Sequence, residues 1–118
     1  MFKLLLLSFR SLLFYIGYLA TLIPHTTLCV LFGLLLPVKA RYPYFLIWNK
    51  FTVWWLGISC GVAYKIIGIE NVPSGSFVLI SNHQSPWETI FLYDIFQPLC
   101  ATIKRELLRV PFFGWALA

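Results

Sequence analysis

With 118 residues the chain has room for one domain and not for two. It is 60% hydrophobic and 11% charged, against about 25% charged in an ordinary soluble domain, so its composition points to a membrane. The net charge of +5 is spread among long apolar runs, which suits an anionic lipid surface and argues against nucleic acid as a partner.

Residues 1–65 carry Lys3, Arg10, Lys39, Arg41, Lys50 and Lys65 but no acid, the first carboxylate being Glu70. A basic start followed by an apolar run is also how a signal peptide begins. Here the run continues too long and lacks a small-residue cleavage site, so it reads as part of the folded chain. Between Arg10 and Lys39 lie 28 residues without a formal charge, enough to cross a hydrocarbon core of about 30 Å. Pro24-His25 falls in the middle of them. This leaves two readings for 11–38: one kinked span, or a hairpin that enters one leaflet and returns. Basic residues at both ends tip the choice toward the hairpin. His25 reads as a turn residue in that break, with no acid near it in sequence.

Pro37 and Pro43 bracket a basic turn, and a second apolar segment runs from Tyr44 to about Tyr64. Tyr44, Trp48, Phe51, Trp55, Ile58 and Val62 recur at steps of three or four and form one helical stripe. That stripe either packs on the rest of the protein, or lies at the bilayer surface or lines an acyl-chain groove; interface packing is the preferred reading. Cys29, Cys60 and Cys100 are odd in number and lack metal-ligand spacing, so they read as buried thiols in a reducing compartment, with no metal site expected.

The character changes near Gly61. Val62 to Ile67 reads either as continued helix or as a strand, and Glu70-Asn71-Val72-Pro73-Ser74-Gly75 is a turn cluster. Phe77-Val78-Leu79-Ile80 reads as a buried strand. Ser85-Pro86-Trp87-Glu88 reads as a helix start, with Ser85 at the N-cap, Pro86 at the first helical position and Glu88 three residues after the cap. The helix continues through Phe96, and Leu99 to Ile103 reads as another strand. Strand, helix, strand implies a βαβ unit and a parallel sheet, with His83 in the turn at a strand's carboxyl end, where open α/β sheets bind ligands.

A neutral imidazole can take a proton from an alcohol near neutral pH, and a carboxylate on its other nitrogen fixes the tautomer and stabilises the imidazolium. His83 and Glu88 supply these groups. On one continuous helix they would stand about 140° apart, so they meet only if His83 lies in the turn before the helix. Capping is an equal alternative for Glu88, because Ser85 and Glu88 match a capping box. Lys104-Arg105-Glu106-Leu107-Leu108-Arg109 brings three basic residues after the second strand, suited either to gripping a phosphate or to being a solvated loop.

Taken together, these stretches resemble the 1-acylglycerol-3-phosphate acyltransferases of bacterial phospholipid synthesis. Asn82-His83-Gln84-Ser85-Pro86-Trp87-Glu88 looks like the family's first block, with Glu88 where Asp is usual. Lys104-x-Glu106-Leu107-x3-Pro111-x2-Gly114 looks like its second block, and Gly68-Ile69-Glu70-Asn71-Val72-Pro73 like the lead-in. The resemblance implies that His83 is the general base and Glu88 its acid partner, with Asn82, Ser85, Lys104 and Arg105 at the substrate. It implies acyl-CoA or acyl-carrier protein as donor and lysophosphatidic acid as acceptor, with no metal or cofactor. It also implies a bacterial inner membrane with the site on its cytoplasmic face.

The expected architecture is α/β: membrane-associated helices over 1–60, then over 61–118 the first part of an acyltransferase domain with a partial parallel or mixed sheet and flanking helices. The family's third and fourth blocks have no match before Ala118, so the expectation is a fragment of such an enzyme, inactive alone. Two other readings stay open: an acyltransferase for another lysolipid or for glycerol 3-phosphate, and a non-catalytic membrane anchor or interaction module.

Overall fold

In a computed structural model, which describes residues 1–33, 35–112 and 114, three α-helices carry the architecture. They are α1 (Phe2–Gly33), α2 (Val38–Cys60) and α3 (Pro86–Ile95), with short 3-10 turns at Ile69–Asn71 and Arg105–Arg109. α2 is central: α1 lies along one side of it and α3 along another.

α1 runs through Pro24 without a break, so the turn expected at Pro24-His25 is not there. The proline removes one backbone donor, but packing on both sides of it splints the helix. On one side, the Trp48 indole N–H donates to Thr21 Oγ1 at 3.2 Å; on the other, the His25 ring stacks on Tyr44 with centroids 5.0 Å apart. Leu22 and Thr26, flanking Pro24, are the buried residues of the helix. The chain reverses instead between Gly33 and Val38, where Arg41 Nε donates to Leu36 O at 2.9 Å and ties the turn to the start of α2.

α1 and α2 then pair antiparallel. From the turn outward, His25 meets Tyr44, Thr21 meets Trp48, Trp55 Nε1 donates to Phe14 O at 3.2 Å, and Arg10 Nε donates to Ser59 O at 2.7 Å. The last contact gives a cation to the carbonyl end of α2, where the helix dipole favours one. α2 stops at Gly61, whose φ of 69° is the left-handed conformation that glycine adopts without strain. The aromatic stripe thus serves mainly as packing against α1: Trp48 is buried, and Tyr44 and Trp55 touch α1, whereas Ile58 and Val62 are exposed.

α1 is long and apolar enough to cross a membrane. Most of its large apolar side chains, from Leu4 to Phe32, face away from the protein. The thiols depart from expectation in burial alone: all three are free, but Cys29 and Cys60 are half-buried and Cys100 is exposed.

The expected α/β fold is not what the chain forms. Among the described residues there is no strand and no sheet, and 62–67, 77–80 and 99–103 run as irregular chain. Nor is 77–80 buried as expected: all four residues are exposed, Val78 and Ile80 to 88% and 90%, although the Phe77 ring contacts Phe96 at 5.9 Å. What is missing is hydrogen-bonded pairing. A strand exists only when another backbone accepts and donates its hydrogen bonds, and no described backbone hydrogen bond joins this run to another. The reading of 77–80 and 99–103 as a βαβ unit is therefore overturned.

Candidate active site

α3 begins as its sequence dictates. Ser85 takes the extended N-cap conformation, Pro86 opens the helix where its missing N–H costs nothing, and Glu88 folds back over the cap. The Ser85 backbone N–H donates to Glu88 Oε2 at 2.7 Å and the Ser85 hydroxyl donates to the same oxygen at 3.2 Å. These donors, the backbone one first, hold the Glu88 carboxyl below its usual range, against a smaller opposing effect of desolvation.

The same oxygen faces His83. Nδ1 of His83 stands 3.8 Å from Glu88 Oε2, close enough for an ion pair with imidazolium but longer than a hydrogen bond. Capping and pairing are thus not exclusive: one carboxylate oxygen does the first and is poised for the second. The His83 side chain is 65% exposed, whereas that of Glu88 is 24% exposed and tied to the cap. With Nδ1 turned to the carboxylate, Nδ1 carries the proton and Nε2 keeps its lone pair for an incoming hydroxyl.

Trp87, between the two, stacks on Phe91 with centroids 4.5 Å apart, and Tyr64 meets Phe91 edge-on at 4.5 Å. This aromatic group pins the first turn of α3 to the chain leaving α2. Further along, Asn49 Nδ2 donates to Ile90 O at 3.5 Å, Phe45 contacts Tyr93 at 6.2 Å, and Lys50 Nζ lies 3.8 Å from Asp94 Oδ1. Beyond the helix, the Leu99 N–H donates to the Tyr42 hydroxyl at 2.9 Å.

Of the expected substrate residues, Ser85 is spent on the cap, while Asn82, Lys104 and Arg105 are exposed. Lys104 precedes the 3-10 turn that Arg105 opens, and neither is joined by a described hydrogen bond or ion pair to the His83 turn. The structure therefore brings His83, Ser85 and Glu88 together, and no described hydrogen bond or ion pair joins the basic pair to them. Part of the second block, Phe113, lies outside the described residues. No group of three or more His, Cys, Asp or Glu that could hold a metal ion occurs among the described residues.

The sequence pointed to no role at α3 for Tyr42, Asn49, Lys50, Tyr64 or Asp94, which hold the helix and the chain after it in place. One signal was available: Lys50 is the lone charge between Arg41 and Lys65.

Comparison with known proteins bears on this geometry. Residues 63–118 match the family model described as Acyltransferase. A 1-acyl-sn-glycerol-3-phosphate acyltransferase of Pseudomonas aeruginosa is 43% identical over 112 residues, covering 94% of this chain and 44% of that protein. One from Saccharomyces cerevisiae is 41% identical over 59 residues, covering 49% of this chain and 20% of that protein. The chain thus spans less than half the length of these relatives. No solved structure matches it. The His83 turn thus lies inside the segment that matches the Acyltransferase family model, and the likeness to the 1-acyl-sn-glycerol-3-phosphate acyltransferase of Pseudomonas aeruginosa runs along nearly the whole chain.

Proposed function

We propose that the chain supplies the general-base part of an O-acyltransferase. The enzyme moves a fatty acyl group from acyl-CoA or acyl-carrier protein to the free hydroxyl of a lysophosphatidic acid, giving phosphatidic acid. The observation that carries this reading is the His83–Glu88 pair, an imidazole 3.8 Å from a carboxylate oxygen that Ser85 holds in place. His83 Nε2 takes the proton of the acceptor hydroxyl as its oxygen attacks the thioester carbonyl. The tetrahedral intermediate then expels the thiolate, which recovers that proton from the imidazolium, leaving an ester and a free thiol. Glu88 orients the ring and stabilises its charged form. The thioester is already activated, so the route calls for no metal, cofactor or acyl-enzyme.

Lys104 and Arg105 are the groups suited to the acceptor's phosphate, being cationic and exposed. Asn82 is a candidate substrate contact beside the base, and Ser85 acts through Glu88. The apolar outer face of α1, with six basic and no acidic residues in 1–65, supports action at the cytoplasmic face of a bacterial inner membrane.

The test uses membranes containing the protein expressed from its complete gene. They are expected to convert lysophosphatidic acid and labelled acyl-CoA to phosphatidic acid, with His83→Ala and Glu88→Gln slowing the reaction by about 10²- to 10⁴-fold. Unchanged turnover in His83→Ala would refute the reading.

A further inference from the structure

We propose that Lys50 is a positioning residue for this reaction: by pairing with Asp94 it fixes the roll of α3, and with it the approach of Glu88 to His83. The inference rests on the general-base reading above.

Lys50 is the lone charge on α2 after Arg41, in an otherwise apolar and aromatic stretch. Its ammonium lies 3.8 Å from Asp94 Oδ1, an oxygen shielded from solvent that makes no hydrogen bond. The cation is thus what compensates that carboxylate. α3 is a helix of ten residues with none fully buried, too short to be stable on its own. The Tyr64, Phe91 and Trp87 rings hold its first turn to the chain after α2, and the rest of its orientation comes from what it touches on α2. The Asn49 bond ends on a backbone carbonyl near the helix axis, and the Phe45–Tyr93 contact is between rings, so neither fixes the roll sharply. The charge pair acts at the tip of a side chain, where a roll is felt most.

Asp94 and Glu88 are six residues apart, so they leave the helix on sides about 120° apart. A roll that moves one carboxylate moves the other. At about 6 Å from the axis, a 10° roll displaces a carboxylate by about 1 Å. The His83–Glu88 gap of 3.8 Å is just beyond hydrogen-bond range, so a shift of that size decides whether the pair can close. Without Lys50, the shielded oxygen of Asp94 has no cation beside it, and α3 relieves this by rolling until that oxygen is hydrated.

The experiment measures kcat, KM for lysophosphatidic acid and thermal midpoint on the protein expressed from its complete gene. Lys50→Met is expected to lower kcat ten- to a hundredfold, as a misplacement of about 1 Å does, with KM little changed. Lys50→Arg is expected to keep most of the rate. The reversed pair, Lys50→Asp with Asp94→Lys, is expected to recover most of what Lys50→Asp alone loses, at a similar midpoint. A wild-type kcat in Lys50→Met, or a reversed pair no better than the single variant, would overturn the proposal. If Lys50→Met does not fold, the Arg and reversed-pair variants decide. His83→Ala is run in parallel: full activity there defeats the general-base reading itself, whereas loss there beside a normal Lys50→Met defeats only the role of Lys50.

Discussion

The pairing of α1 with α2 depends on the absence of a side chain at Gly17. A Cβ added there would stand 2.6 Å from Trp55 Cε2 and 3.0 Å from Cζ2. Carbon atoms rest at about 3.5–4.0 Å, so in Gly17→Ala the indole must retreat by roughly 1 Å. That retreat also stretches the Trp55 N–H bond to Phe14 O, already at 3.2 Å, past the useful range. Overpacking of this kind costs about 1–3 kcal/mol and the lost hydrogen bond about 1 kcal/mol. The better helix propensity of alanine returns about 1 kcal/mol. The expected net is a destabilisation of about 1–3 kcal/mol, seen as a lower midpoint in thermal unfolding of the detergent-solubilised protein followed by circular dichroism and tryptophan fluorescence. Gly33→Ala is the internal control, since nothing lies within 4 Å of the Cβ it would add. A Gly17→Ala midpoint equal to or above that of Gly33→Ala would refute the close-packed pair.

Two further outcomes follow from the cap residues. The Glu88 carboxyl is lowered in the folded state, chiefly by the Ser85 N–H, so its stabilisation is complete above the ordinary carboxyl value of 4.5 and is lost as pH falls through the lowered folded value. Titration from neutral to acid is expected to loosen the first turn of α3, read by Trp87 fluorescence against a Trp87→Phe background. Glu88→Gln should lose this acid-side change; persistence of the change in that variant would assign it to another group. At the other end of the paired helices, Gly61→Ala must place a side chain at a φ of 69° and against the Arg10 guanidinium. It is expected to cost about 1–2 kcal/mol from backbone strain alone, measured as the same midpoint; no loss would show that the turn after α2 can be rebuilt.

The start of α3 was legible residue by residue, because Ser85, Pro86 and Glu88 act on backbone groups within one turn of themselves. The possible partnership of His83 with Glu88 was legible for the same reason, and the structure adds that cap and partner use one oxygen. Pro24 misled, because its local cost is real but is met by Trp48 and Tyr44, which lie on the next helix. The runs 77–80 and 99–103 misled differently. Their composition suits strands, but a strand is a relation between two backbones, and no composition supplies the second one.

The sequence by itself determined an apolar, basic N-terminal region, a helix opening at Pro86, and a histidine and a carboxylate close enough along the chain to cooperate. All of these are set by interactions that span a few residues. Tertiary structure alone decided that α1 continues past its proline, that 77–80 stays unpaired, and that α3 is seated on α2 through Asn49 and through the pairing of Lys50 with Asp94. Those outcomes depend on which faces meet between segments distant along the chain, and periodicity along one segment carries no information about the segment that will lie against it.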